Sequence, residues 1–233
     1  MQLAILSGGA AQGLVSALGA QFKVETGCEI AGTFGAVGAM RDRLLAGEPA
    51  DLLILTSHLI AELTRTGHVV PDSAVDIGVV RTGVAVRVGD PRPPIGDASA
   101  LRATLLAADA IYFPDPKLAT AGIHFAKVLD ALGIAGVVAA RLRPHPNGAA
   151  AMQALARAPE NRPIGCTQVT EILNTPGVTL AGPLPKQFEL ATVYTAGVCT
   201  RAALPDQAKR LAALLESDAA RGIREQAGFE PIA

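Results

Sequence analysis

Short apolar runs alternate with amphipathic stretches from the first residues of the chain. Leu3–Leu6 reads as a strand, and beyond Gly8-Gly9 the residues Leu14, Val15, Leu18 and Phe22 fall on one helical face. Gly27 ends that helix, and Cys28–Phe34 resumes as strand. Gly35 and Gly38 lead into a second helix carrying Met40, Leu44 and Leu45, which Gly47-Glu48-Pro49 stops. Asp51–Leu55 is a third strand, and Ser57 is placed to cap the helix after it. Three strand–loop–helix units in succession predict a parallel, doubly wound α/β sheet.

Farther along, Ile77–Val88 is strand-like with Gly78 and Gly83 inside it, as expected of a crossing between two lobes. The Pro-rich stretch Asp90–Gly96 reads as a surface loop. A second α/β series follows. Its strand Ala110–Phe113 precedes a helix bearing Ile123, Phe125, Val128 and Leu132; then come a helix after Asn147, a strand at Pro163–Cys166 and a helix through Leu173. The apolar segment Glu189–Cys199 returns the chain to the first lobe, and helices around Ala208–Leu215 and Asp218–Gln226 close it. The expected lobes are therefore residues 1–79 with 198–233, and residues 80–197.

Composition narrows the function. Half of the 233 residues are hydrophobic, mainly small aliphatics, with no Trp and only 2 Tyr. Such a core suits helices laid closely on a sheet and argues against aromatic platforms for bases or sugars. The 20 basic and 21 acidic residues nearly cancel, and no basic stripe points to nucleic acid. No apolar run approaches the ~20 residues of a membrane span, so no membrane insertion is expected. Cys28, Cys166 and Cys199 fit neither a zinc spacing nor a disulfide framework, which leaves buried reduced thiols. The chain opens on a strand without a basic leader or cleavage site, so the expected location is cytoplasmic, or periplasmic if a leader precedes it.

Four segments share one plan, a strand end, small residues and a helix start. They are Gly8-Gly9-Ala10-Ala11, Gly35-Ala36-Val37, Thr120-Ala121-Gly122 and Asn147-Gly148-Ala149. Free N–H groups and the positive dipole end at a helix start attract anions, and small side chains admit a ligand to that backbone. Nucleotide sites fit less well: Gly8–Gly13 lacks the Lys-Ser/Thr of a P-loop, and no GxGxxG occurs. His58, His68, His124 and His145 show no metal spacing, and neither a metal nor another cofactor is expected. His124, in the first turn beside one such loop, and Lys117 just before it are candidate acid–base groups, with Thr120 a third.

The run Glu48-Pro49-Ala50-Asp51-Leu52-Leu53-Ile54 resembles a block of the type II periplasmic solute-binding proteins of the molybdate-binding kind. Gly-Gly-Ala-Ala, Thr33–Gly38, Asp115-Pro116 with Ala121-Gly122-Ile123, and Pro163-Ile164-Gly165 follow that family's order over nearly the whole chain. The resemblance implies two α/β lobes joined by a hinge, with a central cleft for a small anionic ligand and an ABC importer as partner if the protein is exported. Molybdate binders of this kind present serines where this chain has Ala10 and Ala36-Val37, and a tyrosine roughly at Gln168. Losing such donors costs about 1–3 kcal/mol each when the facing oxygens stay unpaired. A pocket of Ala36 and Val37 flanked by Thr120, Asn147, Thr167 and Gln168 suits an organic carboxylate instead. The same superfamily includes an aconitate isomerase, so two main expectations stand: a solute-binding protein for an oxyanion or carboxylate, and an isomerase moving a double bond in a small polycarboxylate. A ligand-sensing domain acting through a partner is a third.

Overall fold

The computed structural model describes residues 1–232. It divides into two compact units, Met1–Val80 with Thr192–Ala233, and Arg81–Ala191.

In the first unit β1 (Gln2–Gly8), α1 (Gln12–Thr26), β2 (Glu29–Gly35), α2 (Val37–Leu45), β3 (Leu52–Thr56) and α3 (Ser57–Arg65) follow in order; β4 (Val75–Arg87) begins here and ends in the second unit. β1 lies parallel to both β2 and β3. Leu14, Val15, Leu18 and Phe22 are the buried face of α1. Gly27 ends it at φ +68°, a left-handed termination that glycine adopts without a Cβ clash. The cap of α3 is Thr56, not Ser57: β3 runs one residue farther than its apolar stretch, and the Thr56 hydroxyl accepts from the Leu59 amide at 3.5 Å.

The second unit contains α4 (Ala98–Ala107), β5 (Ala110–Pro114), α5 (Thr120–Ala131), α6 (Ala135–Val138), β6 (Leu142–His145), α7 (Gly148–Ala156), β7 (Pro163–Gln168), α8 (Val169–Leu173) and β8 (Val178–Pro183). β5 is parallel to β6 and β7, whereas β4 runs antiparallel to β7 and β8. Ile164 and Cys166 of β7 pack in one core with Phe113, Phe125 and Val128. Gly165, on the opposite face, abuts Met152 and Leu155 of α7. β7 continues two residues past Cys166, so Thr167 belongs to the α7 face and Gln168 to the α5 face.

The chain re-enters the first unit at Thr192, ahead of position 198, through β9 (Ala191–Val198), followed by α9 (Pro205–Glu216) and α10 (Arg221–Gln226). β9 pairs antiparallel with β3. Both sheets are therefore mixed rather than wholly parallel. A parallel neighbour needs a crossover between strands, and the apolar runs alone do not reveal which strands arrive without one. Among the described residues no single helix is long and apolar enough to cross a membrane. The three cysteines are free and buried. Burial pushes the Cys166 thiol pKa up, and burial with the Asp51 carboxylate beside it pushes Cys199 up to about 12.

Asp51, in the Pro-Ala-Asp block, explains why that block matters. Only 4% exposed, its carboxylate accepts the Ala4 amide at 2.8 Å from β1. It also accepts the Ala203 and Leu204 amides, at 2.7 and 2.9 Å, from the approach to α9. One side chain thus ties a central strand to the approach of α9, whose Leu211 and Leu215 complete the core. Replacing Asp51 by Ala strands three amides and is expected to cost about 3–5 kcal/mol. Urea unfolding of D51A measures this, and a loss under ~1 kcal/mol would show that the carboxylate does not hold α9.

Candidate functional site

The candidate residues gather at the carboxyl ends of parallel strands, where open α/β sheets bind ligands. Each unit has its own set.

In the first unit β1 and β2 end in register, Gly8 opposite Gly35. A 3-10 turn, Gly9–Ala11, leads from Gly8 into α1, and Ala36 leads into α2. Gly8, Gly9, Ala10, Ala11, Gly35, Ala36 and Val37 are all buried. In α2 the Met40 amide bonds back to the Ala36 carbonyl, which leaves Val37, Gly38 and Ala39 as the amides with no intrahelical acceptor. The Ser7 hydroxyl is turned back onto the Gly8 carbonyl at 2.9 Å. A Cβ at Gly8 would lie 2.8 Å from Val37 Cγ1 and 2.9 Å from Tyr194 Cε1. The small residues are thus required by packing as well as by access, and no hydroxyl stands at positions 8–11 or 35–38.

In the second unit the Asp115 carboxylate organises the turn before α5, accepting the Lys117 and Leu118 amides at 2.7 and 2.9 Å. The Ala119 amide bonds the Asp115 carbonyl, and the Ile123 amide bonds Ala119. Between them Thr120, Ala121 and Gly122 present the free amides of the helix start. A side chain at Gly122 would collide with the carbonyls of Pro114 and Asp115. That collision is the physical content of the Asp-Pro…Ala-Gly-Ile spacing: glycine lets α5 seat directly on the end of β5.

The α7 turn is arranged differently. Asn147 caps the helix, accepting the Ala150 amide at 2.9 Å. The Gly148 and Ala149 amides donate to the carboxyl group of Glu171, as does the Gln168 amide. The Thr167 hydroxyl donates to the same group at 2.5 Å. A side chain at Gly148 would overlap both Glu171 and Thr167. Asn147 and Thr167 were expected to meet a ligand; both have internal partners, because a carboxylate from α8 already occupies this helix start. Glu171 is buried, and that burial pushes its pKa up to about 7 against the opposing pull of Thr167 and the three amides.

The acid–base candidates are set apart. Lys117 is exposed and Thr120 is half-buried at the start of α5. His124 is half-buried, its Nε2 2.7 Å from the Phe188 carbonyl. A carbonyl only accepts, so Nε2 carries the proton and Nδ1 is the basic nitrogen of the neutral ring. Gln168 ends β7 beside Thr82 of β4. Sequence reasoning missed Glu171 and Thr82. A lone acid amid the apolar residues of Val169–Leu173 was a signal for Glu171; nothing local marks Thr82.

The model of a bacterial extracellular solute-binding protein family matches residues 3–230. An aconitate isomerase of Pseudomonas sp is 28% identical over 242 residues, covering 99% of this chain and 88% of that protein. Among solved structures, the periplasmic molybdate-binding protein of Azotobacter vinelandii superposes with a TM-score of 0.82 at 18% identity, over 99% of this chain and 100% of that one. A sulfate-binding protein of Mycobacterium tuberculosis gives 0.77 at 18%, over 100% and 87%. These structures share the type II periplasmic-binding fold of two α/β lobes.

The Glu171 environment predicts a pH dependence. Its pKa is raised on folding, so between pH 4.5 and about 7 the native chain holds a proton that the unfolded chain has released. Its contribution is most favourable below pH 4.5 and is lost as pH rises through about 7. At 1.36 kcal/mol per pH unit that interval is worth roughly 3 kcal/mol. Glu171→Gln keeps the shape without the titration. Wild type is expected to lose stability relative to E171Q between pH 5 and 8 in urea titrations; parallel curves would refute the assignment.

Proposed function

Since the chain belongs to the bacterial extracellular solute-binding protein family, we propose that it binds a small organic carboxylate through backbone amides and neutral side chains. The observation that carries this reading is the set of helix-start amides at α2 and α5 with no acceptor of their own, on residues 37–39 and 120–122, none of which is Lys or Arg. Helix dipoles and N–H groups hold an anion by about 0.3–1 kcal/mol per helix end, without a buried cation to desolvate when the ligand leaves. Ala10, Ala36 and Val37, buried apolar residues of the first-unit turns, match a carbon skeleton better than a fully hydrated tetrahedral oxyanion. In the solute-binding role the loaded protein delivers its ligand to an ABC importer.

A screen by isothermal calorimetry tests the assignment. Citrate and the two aconitate isomers are expected to bind, and molybdate and sulfate to bind at least ~100-fold more weakly, about 2.7 kcal/mol. Binding of molybdate alone would replace the organic ligand by an oxyanion. Gly35→Asp places a negative charge beside the α2 amides, where Met40 is the neighbour that must yield. It is expected to lower affinity by ~100-fold or more, about 2.7 kcal/mol, through like charge. Unchanged affinity would remove this turn from the site.

A second reading, favoured by the likeness to an aconitate isomerase along the whole chain, is turnover. Moving a double bond in an aconitate-like acid requires a base to take a proton from an acidic carbon and return it elsewhere. His124 Nδ1, Thr120 and Lys117 are the groups beside the α5 amides available for that transfer. NMR of the isomer ratio measures it: under this reading wild type equilibrates the isomers and His124→Ala slows the exchange by about 10²-fold or more. Full activity of H124A would exclude His124, and no exchange by wild type would leave the binding function alone.

A further inference from the structure

Four buried side-chain atoms of the second unit have no hydrogen-bond partner among the described residues. They are Thr82 Oγ1, Gln168 Nε2 and Oε1, and Thr170 Oγ1. The exposures of the three residues are only 1, 3 and 2%. More than nine in ten buried polar groups are paired in folded proteins, and an unpaired one costs about 1–3 kcal/mol. Since both ends of the Gln168 amide are unmatched, exchanging its O and N repairs nothing.

Their placement is systematic. Thr82 and Gln168 are register partners on antiparallel β4 and β7, so their side chains stand side by side on one face. One pair farther down that face, Val84 and Cys166 join the apolar core with Phe125 of α5. The polar pair therefore tops this core at the carboxyl end of β7, the edge of the sheet where β5 hands over to the free amides of Thr120–Gly122. Thr170 follows two residues on in α8. The backbone of Thr82 is already engaged, with its amide on Leu190 and its carbonyl on Leu184, so only the hydroxyl faces an unmet demand.

We infer that Thr82 and Gln168 form a subsite for the uncharged hydrogen-bonding end of the ligand, and that this ligand is a hydroxycarboxylic acid whose carboxylate lies on the α5 amides. The inference rests on the carboxylate reading above and adds a requirement to it. A deprotonated tetrahedral oxyanion or a bare carboxylate only accepts, and leaves Gln168 Oε1 unpaired. A ligand hydroxyl both donates and accepts, so it serves Oε1 and a donor from Nε2 or Thr82 together. Sites built to bond a hydroxyl reject analogues that lack it, because the buried partner is then orphaned.

Calorimetry with matched acids reads this directly. Wild type is expected to prefer citrate over tricarballylate, and malate over succinate, by at least ~10-fold. Gln168→Leu keeps the volume and is expected to bring the two members of each pair within ~3-fold, with little loss for the acid lacking the hydroxyl. Thr82→Val, which alters one atom of a β-branched side chain, is expected to narrow the preference in the same direction and serves if Q168L does not fold. Equal binding of both members by wild type, or an undiminished preference in the folded variants, would overturn the subsite while leaving carboxylate binding standing. Failure of all four acids to bind while an aconitate isomer binds would overturn the subsite alone; failure of these acids and of both aconitate isomers would sink the carboxylate reading, and the subsite with it.

Discussion

A helix start leaves amides with no partner inside the helix, and what becomes of those amides organises this protein. In one unit the Asp51 carboxylate gathers amides from β1 and from the approach to α9. In the other, Glu171 takes the first two amides of α7 together with that of Gln168. Each joins segments far apart in the chain, and each removes a set of donors from anything outside it. The starts of α2 and α5 keep theirs. Of the four small-residue turns, that of α7 is the one satisfied by a carboxylate from its own unit.

Glycine decides how closely these parts meet. At Gly122 and Gly148 a single added carbon would overlap the backbone of β5's end or the Glu171 carboxylate. At Gly8 it would press on Val37 and Tyr194. The aliphatic, Trp-free core serves the same end, since small residues such as Ala10, Ala11 and Ala121 let helices lie close on the strand ends. The helix starts left open carry fixed dipoles and N–H groups, which need little reorganisation when a charge arrives. Glu171 differs from them: burial raises its pKa to about 7, so the α7 start responds to pH where the dipoles do not.

The alternation of strands and helices was legible because burial on a sheet writes a period into the chain. Leu14, Val15, Leu18 and Phe22 of α1 and Phe125 and Val128 of α5 occupy the cores that their spacing predicts. Local chemistry was legible too: Gly27 ends α1 in the left-handed region, and Asn147 caps α7. The Pro-Ala-Asp and Ala-Gly-Ile blocks were recognisable as patterns. Their reasons, three amides on Asp51 and the seat of Gly122 on two carbonyls, are long-range contacts that no window of sequence contains.

The sequence by itself determined the elements, the α/β class, the family likeness and the small-residue turns at strand ends, because each depends on neighbours within a few residues. Only the tertiary structure decided that β4 and β9 run antiparallel, that Glu171 fills the α7 start, and that Gln168 stands beside Thr82 with both amide atoms unpaired. Strand direction depends on the path of the connections, and the partner of a buried polar atom depends on which distant segment packs against it. Neither is encoded in a local period of 2 or 3.6 residues.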